Sequence, residues 1–122
     1  MKSDHRKSLG YIGESLAAAF LEKQSYSILE RNYRTPYGEI DLITQQGNAV
    51  VFTEVKTRAS SSLGPPEISI TRRKAEHMRC AAEYYIQQHP ELYAEWRIDV
   101  ISIQMRANEA PPLIIHFENA IT

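Results

Sequence analysis

The chain has 122 residues, 43% of them hydrophobic and 24% charged, with 5 Gly and 6 Pro. Such a chain is too apolar for a disordered tail and too poor in Gly and Pro for a fibrous repeat, so one domain over 1–122 is expected, with its core over about 8–121. Lys and Arg number 14 against 15 Asp and Glu, a net charge of -1, which lacks the strongly basic balance of many nucleic-acid-binding domains. A single cysteine, Cys80, excludes an intramolecular disulfide and any zinc site built on paired cysteines. No run approaches the roughly 20 apolar residues of a membrane span, so a cytoplasmic protein with no membrane partner is expected.

In chain order, Leu9, Ile12, Leu16 and Phe20, flanked by Gly13, Ala17 and Leu21, predict a helix over 8–24. Tyr26, Ile28 and Leu29 lead into a polar connection, and Tyr37-Gly38 marks a turn. Residues 39–45 and 49–57 are rich in Ile, Val, Thr and Phe and enclose Gly47-Asn48, the signature of a two-residue hairpin loop. The composition of 59–66 predicts a mobile loop. Thr71 can then cap a helix reaching Gln88, stopped by His89-Pro90, with Ile70, Met78, Ala81, Ala82, Tyr85 and Ile86 on its core face. A helical turn over 91–95 and strands over 97–104 and 113–118 complete the chain. The order helix, hairpin, helix, strand, strand predicts an α/β protein with a mixed β-sheet flanked by helices.

With Gly47-Asn48 as the loop, Asp41 falls directly opposite Glu54 and Glu39 opposite Lys56, on one face with Ile43, Val50 and Phe52, while Ile40, Leu42, Val51 and Val55 take the other. Like charges directly opposed on a hairpin are destabilising, so a half-buried carboxylate pair calls for a counter-ion. Mg²⁺, which takes hard oxygen ligands from one or two carboxylates and substrate phosphates, is the natural candidate. Hairpin geometry alone leaves two readings open: this cation site, or solvated strand-end charges with an ordinary Glu39 to Lys56 ion pair. A bulged three-residue loop would also offset Asp41 from Glu54 by one position.

Two further features bear on the choice. Glu14 shares a helix face with Gly10, Ala17, Ala18 and Leu21, where an ionised carboxylate needs a partner. Arg72, Arg73 and Lys74 crowd the first turn of the second helix against its dipole, an arrangement that a polyanionic ligand reverses from unfavourable to favourable. The near-zero charge is also uneven: 36–55 carries three acids (-3), whereas 56–80 carries six basic and two acidic groups (+4). A local acid cluster with a basic shoulder suits a metal-dependent enzyme acting on nucleic acid.

Asp41, followed after twelve residues by Glu54-Val55-Lys56, resembles the PD-(D/E)xK motif of the restriction-endonuclease-like superfamily. The strings Gly10-Tyr11-Ile12-Gly13-Glu14, Arg31-Asn32-Tyr33-Arg34, Gly38-Glu39-Ile40-Asp41-Leu42-Ile43, Glu54-Val55-Lys56-Thr57-Arg58, Arg97-Ile98-Asp99-Val100-Ile101 and Asn119-Ala120 resemble the YraN-type family of small bacterial endonuclease-like proteins. Ile40 stands where the superfamily motif has proline. The resemblance implies a restriction-endonuclease-like mixed sheet, related to archaeal Holliday-junction resolvases, with Glu14, Asp41, Glu54 and Lys56 as catalytic residues.

The expected activity is hydrolysis of phosphodiester bonds in DNA with Mg²⁺ or Mn²⁺ held by Asp41, Glu54, Glu14 and the Val55 carbonyl. Lys56 would orient the nucleophile or stabilise the transition state, Glu39 would hold its ammonium, and Arg58, Arg72, Arg73 and Lys74 would contact the DNA backbone. The loop at 59–66 would order on substrate. Arg97 and Asp99 either support the site or form a structural ion pair, and His5, His77, His89 and His116 show no ligand spacing. The alternatives are a nuclease-fold nucleic-acid-binding module without catalysis and an RNA-processing nuclease. A homodimer is an expectation by analogy alone.

Overall fold

A computed structural model describes residues 2–60, 70–92 and 95–121, with side chains from residue 8 onward. The elements are α1 (Lys2–Lys23), β1 (Ser27–Thr35), β2 (Gly38–Gln46), β3 (Ala49–Arg58), α2 (Arg72–Gln88), β4 (Glu95–Gln104) and β5 (Leu113–Ile121). The five strands form one sheet in chain order, parallel only between β3 and β4 and antiparallel elsewhere. A parallel pair cannot be joined by a tight turn, and α2 lies within the crossover between its two strands. The result is the mixed α/β, restriction-endonuclease-like arrangement predicted from the sequence.

Each helix covers one face of the sheet. Ala81, Ala82 and Tyr85 of α2 pack on Ile43, Val50, Phe52 and Ile98, while Ala17, Ala18 and Leu21 of α1 pack on Leu42, Val51, Ile101 and Ile103. The strict alternation of Val50, Val51 and Phe52 between these cores is the period of two that made the hairpin readable. Thr71 caps α2 as predicted, its hydroxyl oxygen accepting from the Lys74 N–H at 3.1 Å.

Several boundaries differ from expectation. The polar connection predicted after Tyr26 is the strand β1, whose period is hidden by a bulge between Ile28 and Glu30 and by Asn32 at φ +52. It is an edge strand with no fully buried residue, and Glu30, Arg31 and Arg34 make it read as a loop. The first helix begins at Lys2 because its polar first turns carry no apolar period to mark them. Glu95 belongs to β4, so no helical turn runs through it, and Trp96 is a strand residue set edge-on to Phe52 at 5.8 Å. Residues 61–66 of the predicted loop and 93–94 of the predicted helical turn lie outside the described residues.

Gly13 fixes the seat of α1 on β3. A Cβ at this position would stand 1.8 Å from Thr57 Oγ1 and 2.9 Å from Thr57 Cβ, so rotating the threonine does not clear the contact. Gly13→Ala in an open helix would stabilise by about 1 kcal/mol. Here the overlap reverses the sign, and a loss of about 1–3 kcal/mol is expected in urea unfolding. A variant as stable as the wild type would show that α1 is free to shift.

Candidate functional site

The site is built where the β2–β3 ladder stops. Pairing runs from Gln46 with Ala49 to Leu42 with Thr53, the register predicted from the Gly47-Asn48 loop. One step further, Asp41 Oδ2 accepts a hydrogen bond from the Val55 N–H at 2.8 Å. A side chain thus takes the place of the strand backbone, and the directly opposed pairs expected for Asp41 with Glu54 and Glu39 with Lys56 lie beyond the regular register. The alternation breaks here too: Ile40, expected on the face of Leu42, belongs to the α2 core with Ile43. The left-handed Asn32 of β1 lies between the pairs Tyr33 with Ile40 and Arg31 with Leu42, beside the same irregularity.

The break gathers acids. Burial pushes the Asp41 carboxyl up to about 7, with the Glu54 charge next in weight; the Val55 N–H opposes this, and Glu14 and Glu39 add to it. Burial also raises Glu14, which the Asn32 side-chain hydrogen bond and Arg31 counter, while Glu39 and Glu54 raise it further. Asp41 therefore lies within electrostatic reach of Glu14, Glu39 and Glu54, the other predicted carboxylates. Asn32 was quoted in the Arg31-Asn32-Tyr33-Arg34 string without a role, although asparagine's tolerance of positive φ was a signal that it marks a break in the chain's regularity.

One predicted contact changes: Glu39 sits 3.8 Å from Arg34 Nε on the exposed surface and is not paired with Lys56. Lys74, expected on the DNA backbone, lies 3.5 Å from Glu54 Oε1 in the free protein, carried there by the capped first turn of α2. Lys56 is half-buried on β3, in register with Ser102. Arg72 and Arg73 are exposed beside Lys74, and Arg58 ends β3. Next to Glu54 a pocket of about 140 Å³ opens between the hairpin and α2, walled by Ile40, Phe52, Met78 and Ile98 and bordered by Tyr37 and Lys74.

Among the described residues, no three His, Cys, Asp or Glu side chains converge as the ligand set of a metal ion. One oxygen of Asp41 is committed to the Val55 N–H, and Glu54 leans to Lys74. Asp41 and Glu54 still fit a divalent ion chemically, as hard oxygen donors with excess negative charge, because Mg²⁺ takes one or two carboxylates and completes its shell with water and phosphate. Glu14 and Val55 flank this pair.

Asp99 and Arg97 form a separate, structural network. Asp99, fully buried, accepts from Arg97 Nε at 3.0 Å, from His116 Nε2 at 2.7 Å and from the Asn119 N–H at 2.8 Å, and Arg97 donates to the Tyr26 hydroxyl at 3.0 Å. His116, which had no ligand spacing, is thus a partner of Asp99 across the β4–β5 pair. His89 stacks on Tyr85 at 4.0 Å, and His77 lines the pocket. His5 lies among residues whose side chains are not described.

Thr53 is 1% exposed and its hydroxyl has no hydrogen-bond partner among the described residues. Removing such a group at constant shape is favourable, so Thr53→Val should raise stability by about 1 kcal/mol in thermal or urea unfolding. A loss of that size would mean that the hydroxyl is satisfied in solution.

These features define a small mixed α/β protein with an acid-rich cleft at a broken hairpin. The sequence profile described as "Uncharacterised protein family UPF0102" matches residues 13–103, and the chain belongs to that family. It is 45% identical over 116 residues to a UPF0102 protein of Geobacter metallireducens, covering 95% of this chain and 93% of that one. A UPF0102 protein of Syntrophomonas wolfei is 42% identical over 114 residues, covering 93% and 97%. Among the described residues, no helix is long and apolar enough to cross a membrane.

Proposed function

We propose that this protein is a metal-dependent nuclease that hydrolyses phosphodiester bonds in DNA, with branched or recombination intermediates as its preferred substrates. The observation that carries this reading is the half-buried Asp41 beside Glu54, anchored to the Val55 N–H of the Glu54-Val55-Lys56 strand. The resemblance of that strand to the PD-(D/E)xK motif supports it. Asp41 and Glu54 would hold Mg²⁺ or Mn²⁺, with the Val55 carbonyl as a further oxygen and Glu14 as an additional acid beside them. A divalent ion there supplies an acidified water and neutralises charge on the attacked phosphate. Lys56 places its ammonium on the same strand, two residues beyond Glu54, to orient the nucleophile or to stabilise the transition state. Arg58, Arg72 and Arg73 take the phosphates on either side, and Lys74 exchanges Glu54 for phosphate when the ion enters.

One observation favours a second reading. Lys74 already neutralises Glu54, as suits a nucleic-acid-binding module without catalysis. A cleavage assay on linear, flap and four-way-junction DNA, and on RNA, with Mg²⁺ or Mn²⁺ separates the two. Loss of cleavage in Glu54→Ala and Lys56→Ala with binding retained is the expected result. Binding by the wild type without metal-dependent cleavage of any substrate would establish the module.

A further inference from the structure

We propose that the pocket beside Glu54 receives one unpaired pyrimidine base, so that the preferred substrate carries an unpaired or extruded nucleotide at the cleavage point. This rests on the nuclease reading above and adds the substrate feature that the site selects.

Size comes first. An apolar protein cavity of about 150 Å³ holds one benzene ring, and this pocket has a volume of about 140 Å³. It therefore accepts a single six-membered ring, whereas a purine fills it and projects. Its walls suit the faces of such a ring. Phe52 and Ile98 are 2% and 1% exposed, and Phe52 is fixed edge-on to both Tyr85 and Trp96 at 5.8 Å. These two side chains are held in place by their packing.

The mouth is aromatic and polar. Tyr37 is 49% exposed on the β1–β2 turn. That turn is braced by the Tyr37 N–H donating to Thr35 Oγ1 at 3.0 Å and by the Thr35 hydroxyl donating to the Gly38 carbonyl at 2.7 Å. The backbone that carries Tyr37 is fixed in this way, and the exposed ring offers the kind of stacking face on which single-stranded binders seat a base. Lys74 and Glu54, 3.5 Å apart at the border, make the mouth polar as well as aromatic.

Position decides the role. Glu54 belongs both to the pocket and to the acid cluster with Asp41, so a base in the pocket leaves its own phosphate against those acids. A base stacked in a duplex cannot enter without leaving the stack, which costs least where it is already unpaired.

Fluorescence anisotropy without divalent ions, so that nothing is cut, provides the test. Duplexes carrying one unpaired thymine, one unpaired adenine or one abasic residue at the same position are compared on the wild type. Thymine should bind between about five- and a hundredfold more tightly than the abasic residue, with adenine between them. Met78→Trp, which fills the pocket, should abolish that preference. Equal affinity for the thymine and abasic duplexes, or a preference that survives in a folded Met78→Trp, overturns the pocket and leaves the nuclease reading standing. Failure to bind any nucleic acid, both in this buffer and with Mg²⁺ added, overturns both.

Discussion

Asp99→Ala should lower the stability of this protein by about 3–5 kcal/mol, the range expected when one member of a buried charge pair is removed. Asp99 is completely buried between Arg97 and His116. Its removal leaves the Arg97 guanidinium with only the Tyr26 hydroxyl and a distant Glu118 carboxylate at 4.0 Å. It also unpairs the Asn119 N–H, which Asp99 holds where β5 departs from regular register and Asn119 takes φ +50. The loss therefore combines a charge, a bulge and a strand edge. Asp99→Asn keeps the volume and an acceptor, so a smaller loss is expected.

The same network sets an acid limit. Burial alone would raise the Asp99 carboxyl, but the His116 and Asn119 hydrogen bonds and the Arg97 charge outweigh it and hold the group below its ordinary value. A carboxylate depressed by folding contributes its stability above the unfolded pKa of about 3.9 and loses it as the pH falls through the folded value. Urea midpoints of wild type and Asp99→Asn measured from about pH 7 to pH 3 should converge at the acid end. A Asp99→Ala variant within about 1 kcal/mol of wild type would remove the clasp from the account of the fold.

What could be read from the sequence follows from where the physics is local. The hairpin, the Thr71 cap and the core face of α2 rest on period, turn residues and a single side-chain oxygen, and all three are in place. β1 is a strand because β2 offers it an edge, not because Ser27–Thr35 alternates, and its bulge and left-handed Asn32 erase the pattern that would have announced it. The carboxylates of the site were legible as residue types at a spacing. Their geometry was not, because the opposed pairs assumed a ladder that continues past Leu42, and Asp41 ends it by capturing the Val55 N–H.

The partner of Glu54 was illegible for a related reason. Nineteen residues separate it from Lys74, and only the packing of α2 on the sheet makes them neighbours. The basic first turn of α2 opposes the helix dipole and so favours a nearby negative charge. For Lys74 the protein itself supplies one, in Glu54, and tertiary structure alone sets its address.

Asp41→Asn should stabilise the metal-free protein and sharply slow the proposed cleavage, and the opposite signs are what distinguish a functional carboxylate from a structural one. Folding raises the Asp41 carboxyl from 3.8 to about 7, through burial first and Glu54 second. A group raised by folding favours the native state below its unfolded pKa, and that contribution disappears as pH climbs through the folded value. The wild type therefore loses stability between about pH 4 and pH 7, whereas the asparagine variant, whose amide oxygen can still accept from Val55, does not. Near pH 8 the variant should exceed wild type by about 1–3 kcal/mol, less than the full linkage because the side chain keeps some contact with water. Added Mg²⁺ should raise the wild-type midpoint and leave the variant's unmoved. Cleavage should fall roughly 10²–10³-fold in the variant, the scale of several kcal/mol of lost charge stabilisation at the phosphate. Thermal unfolding at about pH 5 and pH 8, with and without Mg²⁺, gives the first part, and single-turnover cleavage gives the second. An Asp41→Asn protein that is less stable than wild type at both pH values would make Asp41 a strand cap, and the acid cluster would then be a consequence of folding with no bearing on catalysis.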